Sequence, residues 1–158
     1  MLKIKILCVG KIKEKYYAEA VEEYVKRISR FAEITVKEVK EENFSAEPNE
    51  SEKEKLLTEE GERLKKEICG YAICAAVEGC KLSSEKFSEK LARLKDRGVG
   101  EITFVIGGSY GISSEVKRLA NELISLSDMT FPHTLFSVML TEKIYRAFMI
   151  SSGSVYHK

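Results

Sequence analysis

The stretch ITFVIGGSYGISSEV, residues 102–116, decides the fold class because it joins a strand, a glycine-rich turn and a helix start. Its first part, ITFVI, is an apolar run typical of a buried strand. A serine and Glu115 then favour a helix start, by capping and by charge at the helix N-terminus. The turn between them contains three glycines, which let a backbone bend tightly and approach a ligand: Gly107, Gly108 and Gly111.

Strands and helices alternate along the rest of the chain. The hydrophobic pattern predicts strands at LKIKILCV, EITVKEV, YAICAAV, ITFVI and DMTF, the last closed by Pro132. It predicts helices over Tyr17 to Ile28, Leu57 to Ile68, residues 82–98, Ser113 to Ile124, and Leu135 to Ile150. The acidic segment from Lys40 to Lys53 has no apolar period and is expected to be a mobile loop. The alternation predicts an α/β fold, with a mostly parallel sheet and helices on both faces, in a single domain over 1–158.

Composition excludes several classes of protein. The net charge of +1 among 158 residues argues against binding nucleic acid by bulk attraction alone, although lysines crowd the first fifteen residues. No apolar run is long enough for a membrane span, and charges interrupt what would be a signal peptide, so we expect a cytoplasmic protein without a membrane partner. Cys8, Cys69, Cys74 and Cys80 lack zinc-site spacing, so no metal is expected and the thiols are predicted to be reduced and mostly buried.

Two loops follow strands at the edge where parallel sheets bind ligands. One is GGSYG, whose spacing matches neither a dinucleotide fold nor a phosphate-binding P-loop, so an ordinary tight turn is the alternative to a binding loop. The other surrounds FPHT, where His133 is favoured as a helix cap or loop holder over a catalyst. The backbone preceding it offers amides and carbonyls that read an adenine edge without side chains.

The chain ends on Tyr156, His157 and Lys158. An imidazole accepts a proton near neutrality, a phenol ring stacks on a base, and an ammonium lies well beside a phosphate. The alternative is a disordered polar tail.

Four motifs in this order, FVIGGSYG, LSDMTFPHTL, EKIYRAF and the terminal YHK, resemble the RlmH (YbeA) family of ribosomal RNA methyltransferases within the SPOUT superfamily. The resemblance runs from the first strand to the last residue. It implies N3 methylation of a pseudouridine in large-subunit (23S) ribosomal RNA, within the large subunit or the 70S ribosome, with S-adenosylmethionine as donor. It also implies a homodimer and a C-terminal trefoil knot, which alternation of elements would not suggest.

The resemblance places cofactor contacts at Ala75, at Gly107 and along one loop: Leu126, Ser127, Asp128, Met129, Thr130 and Phe131. Gly108 and Gly111 are added from the tight turn itself. We expect His157, Tyr156 and Arg146 to be catalytic residues. His157 or Tyr156 is expected to orient the substrate base, Arg146 to contact RNA or the terminal residues, and Lys158 to contact RNA. The last helix, rich in apolar bulk at Tyr145, Phe148 and Met149, faces either a partner subunit or its own core.

Two other functions compete with methyl transfer. A non-catalytic ribosome-binding or assembly protein of the same fold would not need the glycine turn or the tail. An NAD-type oxidoreductase is disfavoured by the glycine spacing and by the absence of an acidic ribose ligand after the first strand.

Overall fold

The computed structural model describes residues 1–44 and 46–158. The elements follow in the order β1 (Lys3–Val9), α1 (Lys15–Ile28), β2 (Glu33–Val39), α2 (Glu50–Glu67), β3 (Tyr71–Lys81), α3 (Ser84–Asp96), β4 (Glu101–Ile106), α4 (Ser114–Leu119), β5 (Glu122–Ser125) and α5 (His133–Ser151). The strands form one sheet in the order β2-β1-β4-β3-β5. Every adjacent pair is parallel, which confirms the predicted fold class.

The central strands of the sheet are buried on both faces, whereas most residues of the edge strand β2 are exposed. On one face, α1, α3 and α5 pack on alternate residues of the central strands, among them Ile4, Ile6 and Phe104. On the other face, α2 and α4 cover the intervening residues, including Leu7 and Val105. Parallel strands covered on both faces are therefore continuous apolar runs, as ITFVI is.

Three secondary-structure predictions for the C-terminal part of the chain differ from the structure. The helix expected through Ile124 ends at Leu119, and its last apolar residues, Leu123 and Ile124, belong to strand β5. The strand predicted at DMTF is wrong, because residues 128–131 form an irregular loop. Helix α5 begins at His133, two residues earlier than predicted.

Two further expectations changed. The loop predicted to reach Lys53 stops at Asn49, because the Asn49 side chain accepts a hydrogen bond from the Glu52 N–H at 2.9 Å and starts α2. Only two of the four cysteines are buried, Cys8 and Cys74; Cys69 and Cys80 are exposed. Among the described residues no helix combines the length and apolar character needed to cross a membrane.

Strands β3 and β5 approach each other unusually closely. A register shift places both Ala75 and Cys80 opposite Ile124. Between them lies Gly79, where an added Cβ would come within 2.6 Å of the Ile124 carbonyl carbon. A side chain at Gly79 would therefore separate the strands that carry two walls of the site described next.

Candidate functional site

A cleft of about 670 Å³ opens at the carboxyl ends of β3, β4 and β5. Its volume suits a cofactor-sized molecule. The predicted cofactor residues that line it are Ala75, Gly107, Gly108, Gly111, Leu126, Ser127, Met129, Thr130 and Phe131. The structure thus brings together residues separated by up to 56 positions in sequence.

The glycine turn forms one wall of this cleft and closes on itself. The Gly111 N–H donates to the Gly108 carbonyl at 3.1 Å, and Gly111 has a φ of 89°, in the region that favours glycine. An added Cβ on Gly107 would lie 2.4 Å from the Gly111 carbonyl oxygen. Gly107 is therefore required by the turn itself, whichever molecule fills the cleft.

The loop from Leu126 to Phe131 forms the opposite wall. The Ser125 hydroxyl donates to the Ser127 carbonyl at 2.9 Å, and the Ser127 hydroxyl accepts from the Met129 N–H at 3.0 Å. These two serine hydrogen bonds, one from the end of β5 and one within the loop, fix the conformation of the loop. The Met129 side chain is 73% exposed at the cleft rim, and Val77 on β3 is 57% exposed.

Asp128 is the one predicted cofactor residue that does not line the cleft. Its carboxylate accepts a hydrogen bond from the Lys81 ammonium at 2.6 Å, in an ion pair on the exposed side of the loop. The pair ties the middle of the loop to the end of β3. Asp128 is thus placed to hold the loop rather than to face the cleft.

His133 lines the cleft at the first residue of α5. The expectation that its side chain caps this helix is wrong, since the N-cap residue is Pro132 and no side chain makes a capping hydrogen bond there. Among the described residues, the cleft lining includes no Asp, Glu, Lys or Arg. Backbone groups and apolar side chains therefore dominate its surface, which suits a molecule recognised by its ring edges and shape.

The three tail residues lie elsewhere, at the other end of α5. Arg146 donates from Nε and Nη2 to Glu142 Oε1 at 2.9 and 2.6 Å, and the Tyr156 hydroxyl donates to the same oxygen at 3.1 Å. The Arg146 guanidinium lies over the Tyr156 ring at 4.8 Å. His157 bridges Arg146, at 3.0 Å from Nδ1, and Glu85 on α3, at 2.7 Å from Nε2. We call Glu85, Glu142, Arg146, Tyr156 and His157 the tail cluster.

Contacts within the cluster shift the pKa values of Glu142 and Tyr156. Burial opposes ionisation of Glu142, but hydrogen bonds from Arg146 and Lys143 outweigh it and lower the pKa of that carboxyl. Burial and the Glu142 charge raise the pKa of Tyr156 to about 12. The Tyr156 phenol therefore stays protonated near neutral pH and acts as a donor, not as a base.

The tail cluster and the cleft are far apart within one chain. Arg146 follows Phe136, the last cleft residue on α5, by ten residues, which at 1.5 Å per residue is a separation of about 15 Å. Tyr145 lies against Tyr24 of α1, with ring centroids 6.2 Å apart, and Phe148 stacks on Phe31, just beyond α1, at 5.5 Å. These two aromatic residues of the last helix thus contact their own chain.

Sequence reasoning missed both acidic members of the cluster. Glu142 belongs to the EKIYRAF motif, four residues before Arg146, and this ion-pair spacing on a helix was the available signal. Glu85 lies 72 residues from His157 and had no local signal. No group of three or more His, Cys, Asp or Glu in residues 1–44 and 46–158 is arranged to hold a metal.

Comparison with known proteins matches nearly the whole chain. A family model described as "Predicted SPOUT methyltransferase" matches residues 2–157. A protein of Streptococcus uberis named "Ribosomal RNA large subunit methyltransferase H" is 45% identical, over 99% of this chain and 100% of its own length. A protein of Lactobacillus acidophilus with the same name is 47% identical over the same shares.

Solved structures share the fold at low identity. A probable methylase family protein of Haemophilus influenzae has a TM-score of 0.56 at 13% identity, covering 100% of this chain and 72% of its own. The tRNA (m1G37) methyltransferase of Aquifex aeolicus has a TM-score of 0.54 at 15% identity, covering 92% and 69%.

Proposed function

This chain belongs to the SPOUT methyltransferase family, and on that premise we propose that it methylates N3 of a pseudouridine in 23S ribosomal RNA. It is a methyltransferase of large-subunit ribosomal RNA, as its full-length relatives are named, and membership of the SPOUT methyltransferase family supports S-adenosylmethionine as its methyl donor. The nucleotide and the assembled ribosome as substrate are the finer parts of the proposal. The trefoil knot of the C-terminal half remains a prediction from the family resemblance.

One observation carries the cofactor site: two backbone-lined loops face each other across an uncharged cleft of about 670 Å³. Ala75, Gly107, Gly108 and Gly111 would hold the cofactor from one side, and residues 126–131 from the other. Asp128 would act through Lys81, by fixing the loop. The donor is already activated as a sulfonium, so the protein must chiefly align donor and acceptor.

The acceptor nitrogen, unlike the methyl donor, needs to be activated for the reaction. N3 of a pseudouridine carries an imide proton. This proton passes to solvent as N3 bonds to the methyl group and the bond from the methyl group to the sulfonium sulfur breaks. A fixed cation beside the base stabilises the developing negative charge. Arg146, held by Glu142 and His157, is the candidate for that cation, while Tyr156 supplies an aromatic face and Lys158 a phosphate contact.

We further propose a homodimer in which the tail cluster of one subunit completes the cleft of the other. Within one chain, about 15 Å of helix separates Arg146 from Phe136, the cleft residue nearest to it on α5, too far for both to contact one base. The exposed Met129 and Val77 at the cleft rim offer apolar surface that a partner would cover. These two observations support a shared site.

A methyl-transfer assay on intact ribosomes, beside naked ribosomal RNA, tests the function. We expect incorporation of one labelled methyl group into the large-subunit RNA, located by mass spectrometry at N3 of a pseudouridine, and faster transfer to ribosomes. Cofactor binding without transfer to either substrate would favour the non-catalytic ribosome-binding protein.

Mixing two inactive variants tests the shared site. One subunit carries Gly107→Ala, which damages the cleft, and the other lacks residues 156–158. If the site is shared, random reassociation in equal amounts leaves one intact site in half of the dimers and restores about one quarter of the wild-type activity. No recovery after reassociation, or sedimentation as a monomer only, would contradict the shared site.

A further inference from the structure

His157 is hydrogen-bonded at both ring nitrogens, and its partners determine which nitrogen carries the proton. Nδ1 lies 3.0 Å from Arg146 Nη1. A guanidinium has only donors, so Nδ1 must accept and is unprotonated. The proton of the neutral ring therefore sits on Nε2, 2.7 Å from the Glu85 carboxylate, which accepts it.

We propose that Glu85 is a positioning residue that fixes this tautomer of His157 and thereby holds the Arg146 guanidinium in place. A carboxylate facing Nε2–H disfavours the other tautomer, in which Nδ1–H would point at an Arg146 N–H. The role in methyl transfer rests on the proposed function, whereas the tautomer can be measured without it.

The orientation matters because Arg146 is held on three sides. Glu142 accepts from Nε and Nη2, His157 accepts from Nη1, and the Tyr156 ring lies against the guanidinium face. Two of its five N–H groups remain for another acceptor, one on each terminal nitrogen. A fixed planar pair of donors suits an RNA phosphate or the carbonyl edge of a pyrimidine.

The same geometry changes the expected role of His157. Since both ring nitrogens are engaged, the imidazole has no free lone pair with which to take the N3 proton. Protonation would place Nδ1–H against the Arg146 N–H and break that contact. The His157 ring contacts Arg146 on α5 and Glu85 on α3. Glu142 and Tyr156 lie against Arg146, and the next groups beyond Tyr156 are Tyr145 on α5 and Tyr24 and Arg27 on α1.

Nitrogen NMR of ¹⁵N-histidine-labelled dimer tests the tautomer directly. The chain has two histidines, and the His157→Asn variant identifies the resonances of His157 by their loss. At pH 8 we expect His157 to show a protonated Nε2 and an unprotonated Nδ1. A mixture of tautomers, or a protonated Nδ1, would overturn the proposal.

Variants at position 85 test the cause. Glu85→Leu removes the acceptor and should give mixed tautomers, whereas Glu85→Gln keeps a carbonyl acceptor and should preserve the wild-type signal. Glu89→Leu, an exposed carboxylate one turn further along α3, is the matched control and should change nothing. An unchanged tautomer in Glu85→Leu would show that Glu85 does not set it.

Kinetics link the tautomer to function. Misplacing a catalytic group typically costs roughly tenfold to a hundredfold in rate, so kcat/KM for RNA should fall by that factor in Glu85→Leu and recover in Glu85→Gln. The cofactor Kd should stay within about twofold, because Glu85 does not line the cleft. Full activity in Glu85→Leu with mixed tautomers would refute the positioning role alone. An inactive wild-type enzyme with the expected tautomer would instead refute the proposed function.

Discussion

The cleft and the tail cluster differ in the kinds of chemical groups that form them. The cleft consists of glycine turns, serine-held backbone and apolar side chains, with no charged residue in its lining within the described chain. The tail cluster consists of two carboxylates, a guanidinium, an imidazole and a phenol, each bonded to another. Helix α5 contributes to both: His133 and Phe136 in its first turns line the cleft, and Glu142 and Arg146 further along it belong to the cluster.

This division matches the two tasks of a methyl transfer. A cofactor with fixed chemistry is recognised by shape and by backbone groups, whose positions the fold sets. An RNA nucleotide whose charge changes during the reaction needs fixed dipoles and cations. Changes at one end of α5 should therefore alter cofactor binding, and changes at the other should alter methyl transfer.

Removing residues 156–158 should have the largest effect. It deletes Tyr156 and His157, so Arg146 loses both its stacking partner and one hydrogen-bond acceptor. We expect kcat/KM to fall by roughly a thousandfold, while the cofactor Kd changes by less than about twofold. Methyl-transfer kinetics and calorimetric titration with the cofactor measure the two effects. Unchanged turnover would remove the tail from the mechanism.

Gly107→Ala should produce the converse pattern. The new Cβ would approach the Gly111 carbonyl oxygen to 2.4 Å, so the turn must open. We expect cofactor affinity to fall at least about tenfold and the free energy of unfolding to fall by about 1–3 kcal/mol. Gly100→Ala, where nothing lies within 4 Å of an added Cβ, is the control and should leave both unchanged. Wild-type affinity in Gly107→Ala would mean that the turn does not contact the cofactor.

The sequence predicted the central sheet well and its last strand badly, for a physical reason. Strands β1, β2 and β4 carry local apolar patterns that suffice to identify them. In β5, Leu123 and Ile124 continue the helical spacing of α4. Asn121 ends that helix by long-range bonds, its N–H to the Ala72 carbonyl at 2.9 Å and its side chain to the Ala72 N–H at 2.8 Å. Such contacts override local pattern.

The site shows the same limit. Gly108 and Gly111 could be proposed from the tight turn after a strand, whereas Ala75, Gly107 and the loop from Leu126 to Phe131 were proposed from the family resemblance. All of these residues but Asp128 line the cleft. The tail could be proposed from its residue types. Its distance from the cleft and its bond to Glu85 depend on how helices pack, which no local pattern encodes.

Variants of the Asp128–Lys81 ion pair test whether a charged side chain contacts the cofactor. If Asp128 only holds the loop, Asp128→Asn and Lys81→Met should each weaken cofactor binding by less than about fivefold, because exposed ion pairs contribute about 0–1 kcal/mol. The double variant should be no worse than either single variant. A tenfold loss in Asp128→Asn without one in Lys81→Met would place the carboxylate on the cofactor. Calorimetric titration at low and high salt distinguishes these outcomes.

Glu60 provides the smallest and last test, since it is a buried charge directly behind the uncharged cleft. It is 4% exposed, one carboxylate oxygen accepts from the Glu42 N–H at 3.0 Å, and the other has no partner among the described residues. That second oxygen would lie 3.5 Å from a Cβ added to Gly108 in the glycine turn.

Burial, with the nearby Glu41 charge, raises the pKa of Glu60 despite the hydrogen bond from the Glu42 backbone. The folded state therefore holds this proton more tightly than the unfolded state. The contribution of Glu60 to the free energy of unfolding is full below the ordinary carboxyl pKa and is lost as pH rises through the higher folded-state pKa. Glu60→Gln should remove this dependence on pH. Denaturant unfolding across pH measures it, and an unchanged cofactor Kd is expected because the carboxyl lies behind the turn. A large loss of affinity would show that the cleft depends on a charge after all.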